Sequence, residues 1–161
     1  MILSEETEKI NVGIKNNLTF VIVTYESDHV INDCLSSIPS NYPTIVIENS
    51  GKKNFQKKIE KKYPNVKCVI MKQNDGYCFG NNLGIKLSTT RFVFILNPDA
   101  RLKYNTLDEL DKVSDEINNF AVLAPTLIRS DLIEGFGLTK NYGSYKKTLA
   151  TTSEFFEVDY I

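Results

Sequence analysis

Short apolar runs alternate along the chain with longer segments that carry apolar residues on one side only. The runs are rich in β-branched and aromatic residues, which is typical of buried strands. They predict strands at 18–24, 44–48, 66–71, 92–96 and 120–124. The intervening segments have helical spacing and predict helices at 29–38, 54–63, 77–87 and 105–118. After residue 126 a weak period of two predicts short antiparallel pieces.

Strands that alternate with helices predict βαβ units, and therefore an α/β fold with a mostly parallel sheet and helices on both faces. Because 92–96 is an unbroken apolar run, we expect it to be a fully buried, central strand. Residues 1–17 read as a loose lead-in, 18–125 as the α/β domain, and 126–161 as the start of a further, incomplete region. The carboxyl ends of parallel strands share one edge, which is where open α/β sheets bind ligands.

A polar cluster follows each of the first four predicted strands. The clusters are Thr24-Tyr25-Glu26, Glu48-Asn49-Ser50, residues 73–76, and Asn97-Pro98-Asp99. One such cluster would be an ordinary turn, as the Asn-Pro-Asp sequence alone could be. Together at one edge they predict a site for a polar, phosphorylated ligand with a metal ion.

Two glycines inside the predicted helix 77–87 point to a close neighbour. Gly80 and Gly84 lower the helix propensity of this segment, so we expect another backbone or a ligand to approach them closely.

Composition limits the class of protein. The 161 residues suit one domain with a sizeable core, and 42% hydrophobic with 24% charged residues is ordinary for a soluble globular protein. A net charge of −1 gives no general attraction to nucleic acid. No apolar run is long enough for a membrane span, and the N-terminus does not resemble a signal peptide. The three cysteines lack paired spacing, which favours buried thiols in a reducing compartment such as the cytoplasm.

Four sequence blocks carry a family resemblance: FVIVTYES at 20–27, IVIENSG at 45–51, QNDGYCFGNNLGI at 73–85 and FILNPDA at 94–100. With these blocks the chain resembles the N-terminal, donor-binding half of family-two glycosyltransferases with the GT-A fold, in their rhamnosyltransferase-like branch. The third block is the most specific, because it is similar to the family's N-x-G-[FY]-x-x-G-N-N-x-G segment.

The resemblance implies a nucleotide-sugar donor, a UDP- or dTDP-sugar, and a contact for each matching position. Glu48 stands where the family usually carries an aspartate that contacts base or ribose, and Asp99 stands in the acidic metal-binding element. The implied nucleotide-sugar contacts are Thr24, Tyr25, Glu26, Glu48, Asn74, Gly76, Tyr77, Asn82 and Asn97, and the implied metal contact is Asp99.

The implied reaction is sugar transfer with inversion to a glycan or lipid-linked acceptor. Charge that builds on the leaving diphosphate calls for a divalent cation, Mg²⁺ or Mn²⁺. The acceptor hydroxyl needs a general base, which the resemblance places beyond Ile161. The implied location is cytoplasmic, with peripheral association at the inner face of the membrane.

Other interpretations stay open at this stage. A non-catalytic nucleotide-sugar-binding module fits the missing base segment. A nucleotidyltransferase is less favoured, because residues 24–28 contain neither glycine nor lysine. Arg101 either pairs with a nearby acid or reaches a diphosphate. The lysines of 52–62 are interpreted as a solvated helix surface in preference to a phosphate-binding face.

Overall fold

A computed structural model describes residues 13–117, 120–129 and 132–135, which divide into two compact units at Phe120. The first unit contains a parallel sheet of order β3-β2-β1-β4, with β1 (Leu18–Thr24), β2 (Thr44–Glu48), β3 (Val66–Ile70) and β4 (Phe92–Ile95). Its helices are the 3₁₀ turn Ile14–Asn16, α1 (Ile31–Ser36), α2 (Lys53–Lys62), α3 (Tyr77–Leu87) and α4 (Thr106–Ile117). The second unit contains β5 (Leu127–Arg129) and β6 (Leu132–Gly135), which pair antiparallel.

The apolar periodicity placed most of these elements correctly. The predicted α/β class with a mostly parallel sheet is confirmed, as is one antiparallel pair after residue 126. The remaining predicted pieces, beyond residue 135, lie outside the described residues. The first helix is shorter than predicted, because Val30 and Ile31 both donate their backbone N–H to the Ser27 carbonyl and the preceding residues form a turn.

Two strand predictions are wrong. Residues 120–124 form no strand, and Val122 is 71% exposed, so this apolar segment does not pack as a core strand. β4 is neither central nor fully buried within the described residues: it pairs with β1 alone, and Ile95 is 46% exposed. An unbroken apolar run indicates contact with other apolar groups, but it does not fix how many strands lie beside it.

The two faces of the sheet are covered by different helices. Right-handed crossovers place α1 and α2 on one face and α3 on the other, since the chain turns back across β1 between β3 and β4. The α3 face carries Val21, Val23, Ile45 and Ile47. On the other face Phe20 stacks on Phe94 with ring centroids 5.1 Å apart.

Gly80 and Gly84 are approached closely, but by side chains and not by the backbone or ligand that the sequence predicted. A Cβ at Gly80 would come within 2.8 Å of a methyl carbon of Val23, and a Cβ at Gly84 would overlap Val21. The approaching group is therefore the side-chain surface of β1. In the part of the chain that the structure describes, none of the helices combines the length and the apolar character that a membrane crossing requires.

Candidate functional site

The strand order reverses between β1 and β4, which is the point where open α/β sheets form a ligand crevice at their carboxyl edge. Tyr25 and Glu26 follow β1, and Asn97 and Asp99 follow β4; all four side chains are exposed. Glu26 has a φ of 54°, in the left-handed region that few non-glycine residues adopt, so the chain turns sharply at the end of β1. Both exits present polar side chains to solvent at the edge where the strand order predicts a crevice.

Thr24 lies beneath that surface. It is 1% exposed, and its hydroxyl has no hydrogen-bond partner among the described residues. Its carbonyl accepts the backbone N–H of Asn49 at 2.9 Å, which ties the exits of β1 and β2 together. Thr24 is thus buried, whereas Tyr25 and Glu26, the next two residues, are exposed.

Glu48 is a buried carboxylate that bonds its own loop. It is 1% exposed. One oxygen accepts the Ser50 backbone N–H at 2.9 Å and the Ser50 hydroxyl, and the other accepts the Lys52 backbone N–H at 2.9 Å. Both oxygens therefore shape residues 49–52. A contact of this carboxylate with base or ribose would require these bonds to open, and it stays a prediction.

The Glu48→Gln substitution tests how much this loop depends on the carboxylate. An amide removes the charge and one acceptor oxygen, so the backbone N–H groups of Ser50 and Lys52 compete for the remaining oxygen, and we expect the free energy of unfolding to fall by about 1 to 3 kcal/mol. Urea denaturation followed by circular dichroism measures it. Glu109→Gln, at an exposed pair with Lys112, is the matched control and should cost under about 1 kcal/mol. Equal effects of the two substitutions would contradict the proposed role of Glu48.

Asn49 is a residue that sequence reasoning did not single out. It is 3% exposed, and its amide nitrogen donates to the Gly76 carbonyl at 3.3 Å. Its amide oxygen has no partner among the described residues. Asn49 thereby joins the exit of β2 to the start of α3. Its position inside the Glu48-Asn49-Ser50 cluster was the available signal.

The loop before α3 is built around Gly76. Its φ of 88° favours glycine, and its N–H donates to the Asn74 side-chain oxygen at 3.0 Å. Tyr77 begins the helix, and its hydroxyl donates to the Asn97 side-chain oxygen at 2.9 Å. The start of α3 is therefore held to the exit of β4, across the crevice that the strand order predicts.

The two asparagines within α3 are placed differently. Asn82 is exposed, whereas Asn81 is 6% exposed with an amide oxygen that has no partner in the described part of the chain. Gly80 and Gly84 mark the helix face toward the sheet, and Asn81 adjoins Gly80 on that face. That spacing is a signal for the buried asparagine, which the sequence analysis missed.

The thiol of Cys34 lies next to the segment that carries Asn97 and Asp99. The Cys34 thiol donates to the Asn97 carbonyl at 3.4 Å. Burial, with a contribution from the Asp99 charge, raises the pKa of Cys34 to about 12, so the thiol stays protonated at neutral pH and remains a donor. The Arg101 guanidinium pairs with Asp33 at 2.5 Å, which is the first of its two anticipated roles.

Among the described residues, Asp99 is the carboxylate that the sequence resemblance assigns to a metal ion, and Glu26 is a second exposed carboxylate at this edge. No group of three His, Cys, Asp or Glu side chains that could hold a metal occurs within residues 13–117, 120–129 and 132–135. Asp99 is exposed at the end of β4. A Mg²⁺ or Mn²⁺ ion bound here fits only if a ligand supplies further oxygens, as substrate phosphates do in many magnesium sites.

Hydrogen bonds link all four clusters of the carboxyl edge. Asn49 bonds Thr24 and Gly76, the Met71 N–H donates to the Glu48 carbonyl at 2.8 Å, and Tyr77 bonds Asn97. The structure thus brings the predicted segments together at one edge. Not every predicted side chain is exposed at this edge. Glu48 is buried and bonds its own loop, and Thr24 is buried as well.

Comparisons with known proteins agree with this geometry. Residues 19–157 match the family model described as Glycosyl transferase family 2. A curated relative is the low-salt glycan biosynthesis hexosyltransferase Agl10 of Haloferax volcanii, 24% identical over 133 residues that cover 80% of this chain and 42% of that protein.

Solved structures show the same fold. S. aureus TarS 1–349, also solved in complex with UDP, has a TM-score of 0.55 and 21% identity over 62% of this chain and 32% of its own. The mannosyltransferase PcManGT from Pyrobaculum calidifontis, in complex with GDP-Man and Mn²⁺, has a TM-score of 0.51 and 20% identity over 60% of this chain and 31% of its own. The chain therefore spans less than half the length of each of these proteins.

Proposed function

We propose, since the chain belongs to glycosyl transferase family 2, that it binds a nucleotide-sugar donor at the carboxyl edge of its sheet and contributes to transfer of the sugar. The observation that carries the proposal is the Tyr77–Asn97 hydrogen bond, which joins the start of α3 to the exit of β4 at the strand-order reversal. Family membership supplies the class of reaction. The acceptor we propose is a glycan or a lipid-linked acceptor.

Tyr25 and Glu26 flank the nucleotide in this proposal. Tyr25 is 55% exposed, which leaves an aromatic face open for stacking against a base. Asn74, Gly76 and Tyr77 lie along the nucleotide from the other side, and Asn82 lies further along the same helix. Glu48 acts by fixing the conformation of the loop 49–52 through its hydrogen bonds. Thr24 is buried under the nucleotide in this proposal. A UDP-bound TarS structure and a GDP-Man-bound PcManGT structure, both of this fold, support a nucleoside diphosphate here.

Asn97 has a defined orientation that suits sugar recognition. Its side-chain oxygen accepts the Tyr77 hydroxyl, so its amide nitrogen is left to donate to a hydroxyl of the sugar or ribose. The neutral Cys34 thiol donates a hydrogen bond to the Asn97 backbone carbonyl. These contacts fix the amide before a donor arrives, and less ordering is needed on binding.

Asp99 is the residue that would hold a divalent cation. When bound, Mg²⁺ or Mn²⁺ neutralises the charge that develops on a leaving diphosphate. Asp99 presents an exposed carboxylate beside Asn97, and PcManGT was solved with Mn²⁺. Inversion at the anomeric carbon and the rhamnosyltransferase-like branch are proposed on the sequence resemblance.

Isothermal titration with UDP, dTDP and GDP, each with Mn²⁺ and with EDTA, tests the proposal. We expect at least one diphosphate to bind in a metal-dependent manner, because the pyrophosphate supplies the oxygens that Asp99 alone lacks. The corresponding monophosphate is the control and should lose most of the metal dependence. Absence of metal-dependent binding by all three nucleotides would overturn the proposal.

A further inference from the structure

The outer surface of α2 carries positive charge only. Its five lysines, with Lys52 just before the helix, are all exposed; those within α2 are Lys53, Lys57, Lys58, Lys61 and Lys62. The single acid of the helix, Glu60, is directed inward, where its carboxylate accepts the Cys68 backbone N–H at 2.8 Å. A chain of net charge −1 thus concentrates cations on one helix.

Four of these lysines make neither an ion pair nor a side-chain hydrogen bond with the described residues. Lys52 pairs with Asp28 at 3.1 Å, and Lys62 donates to the Asn32 side-chain oxygen at 2.8 Å. The remaining four have no carboxylate within ion-pair distance in the described residues: Lys53, Lys57, Lys58 and Lys61. Lysines spaced four residues apart repel each other and lower the stability of an isolated helix. We call these four residues the α2 lysine face.

The apolar side of α2 is already used within the protein. Phe55 is 5% exposed and Ile59 is 1% exposed, and both pack into the core. α2 therefore has no apolar surface to insert into a bilayer, and a partner would meet it through charge alone. The contact is expected to be shallow and sensitive to salt.

We propose that the α2 lysine face docks the protein on an anionic membrane surface. Lysine ammonium groups are compact, strongly hydrated charges, which suit the diffuse negative potential of anionic lipid headgroups. Binding to single-stranded nucleic acid is favoured by exposed aromatic side chains and arginine, and the described surface of α2 presents neither. The observations thus favour a lipid surface over a single-stranded nucleic acid.

Docking through α2 would bring the loop 49–52, at the carboxyl edge of the sheet, toward the membrane. The loop 49–52 leads directly into α2, and its last residue is fixed by the bond from the Lys52 N–H to Glu48. A lipid-linked acceptor held in the same membrane would then be near the carboxyl edge of the sheet. This consequence rests on the proposed function, whereas the docking itself does not.

Vesicle co-sedimentation with two matched variants tests the docking. One variant changes the α2 lysine face to glutamine at all four positions. The control carries the same number of substitutions at exposed lysines elsewhere: Lys67→Gln, Lys86→Gln, Lys103→Gln and Lys112→Gln. The unmodified chain is expected to bind phosphatidylserine-containing vesicles at about 0.1 M salt and to lose binding at about 1 M salt. The protein is not expected to bind vesicles made of phosphatidylcholine alone.

Each lysine near an anionic surface contributes about fivefold to binding, so the α2 variant should bind at least about 100-fold more weakly. The control should keep most of the affinity. Equal losses in both variants, no binding by the unmodified chain, or tighter binding to an RNA or DNA duplex than to the vesicles would each overturn the proposal. Nucleotide titration of the same variants separates this outcome from the proposed function, because none of the four lysines is among the proposed donor contacts.

Discussion

Asp99→Asn is expected to abolish most metal-dependent nucleotide binding while the protein remains folded. The substitution keeps the shape of the side chain and removes its charge, so the proposed cation loses its one protein carboxylate. A metal ion at a phosphate contributes several kcal/mol, which corresponds to a fall of about 100-fold or more in affinity for the diphosphate in Mn²⁺. Titration with the diphosphate in Mn²⁺ and in EDTA measures the loss, and the EDTA values of variant and parent should agree.

Stability should not change, because Asp99 is exposed and makes no ion pair within the described residues. Asp115→Asn, an exposed carboxylate on α4, is the matched control and should bind as the parent does. If Asp99→Asn keeps the full effect of Mn²⁺, Asp99 is not the metal contact. If Asp75→Asn removes that effect instead, the contact belongs to the loop before α3.

The sequence predicted the sheet and its edge because each strand is a run of apolar residues followed by a turn signal. β1 and β2 fall on their predicted bounds, as does α3. Parallel order followed from the alternation of strands and helices, and the shared carboxyl edge followed from parallel order. The Tyr77–Asn97 bond connects two segments that are 20 residues apart, and only the fold brings them together.

The details of the site depended on tertiary structure that composition and spacing do not encode. Glu48 and Asp99 both follow strands, yet one is buried against its own loop and the other is exposed. The Asn81-Asn82 pair gave no sign of which side chain turns inward, apart from the flanking glycines. β4 has the composition of a central strand, but in the described residues its only strand partner is β1. Such distinctions are decided by neighbours in space.

Gly84→Ala is expected to destabilise the protein although alanine is the better helix former. The exchange gains about 1 kcal/mol of helix propensity. A Cβ at Gly84 would overlap one methyl carbon of Val21 and stand 3.0 Å from the other, and Val21 is fully buried in the sheet. Overpacking against a rigid strand costs up to about 3 kcal/mol. The overlap outweighs the propensity, so we expect a net loss of about 2 kcal/mol and a Tm lower by about 4 to 8 °C.

A second substitution separates overlap from any other effect of Gly84→Ala. Val21→Ala removes the methyl carbons that the new Cβ would meet, at the cost of buried apolar area. In that background Gly84→Ala should become neutral or stabilising, because the nearest remaining atom of residue 21 is its Cβ at 3.3 Å, and this reversal of sign is a direct measure of coupling. Lys86→Ala, on the exposed side of α3, should change stability by less than about 0.5 kcal/mol. If Gly84→Ala stabilises the parent as well, α3 does not lie this close to β1. The hydrogen bond from Tyr77, the first residue of α3, to Asn97 would then be in doubt as well.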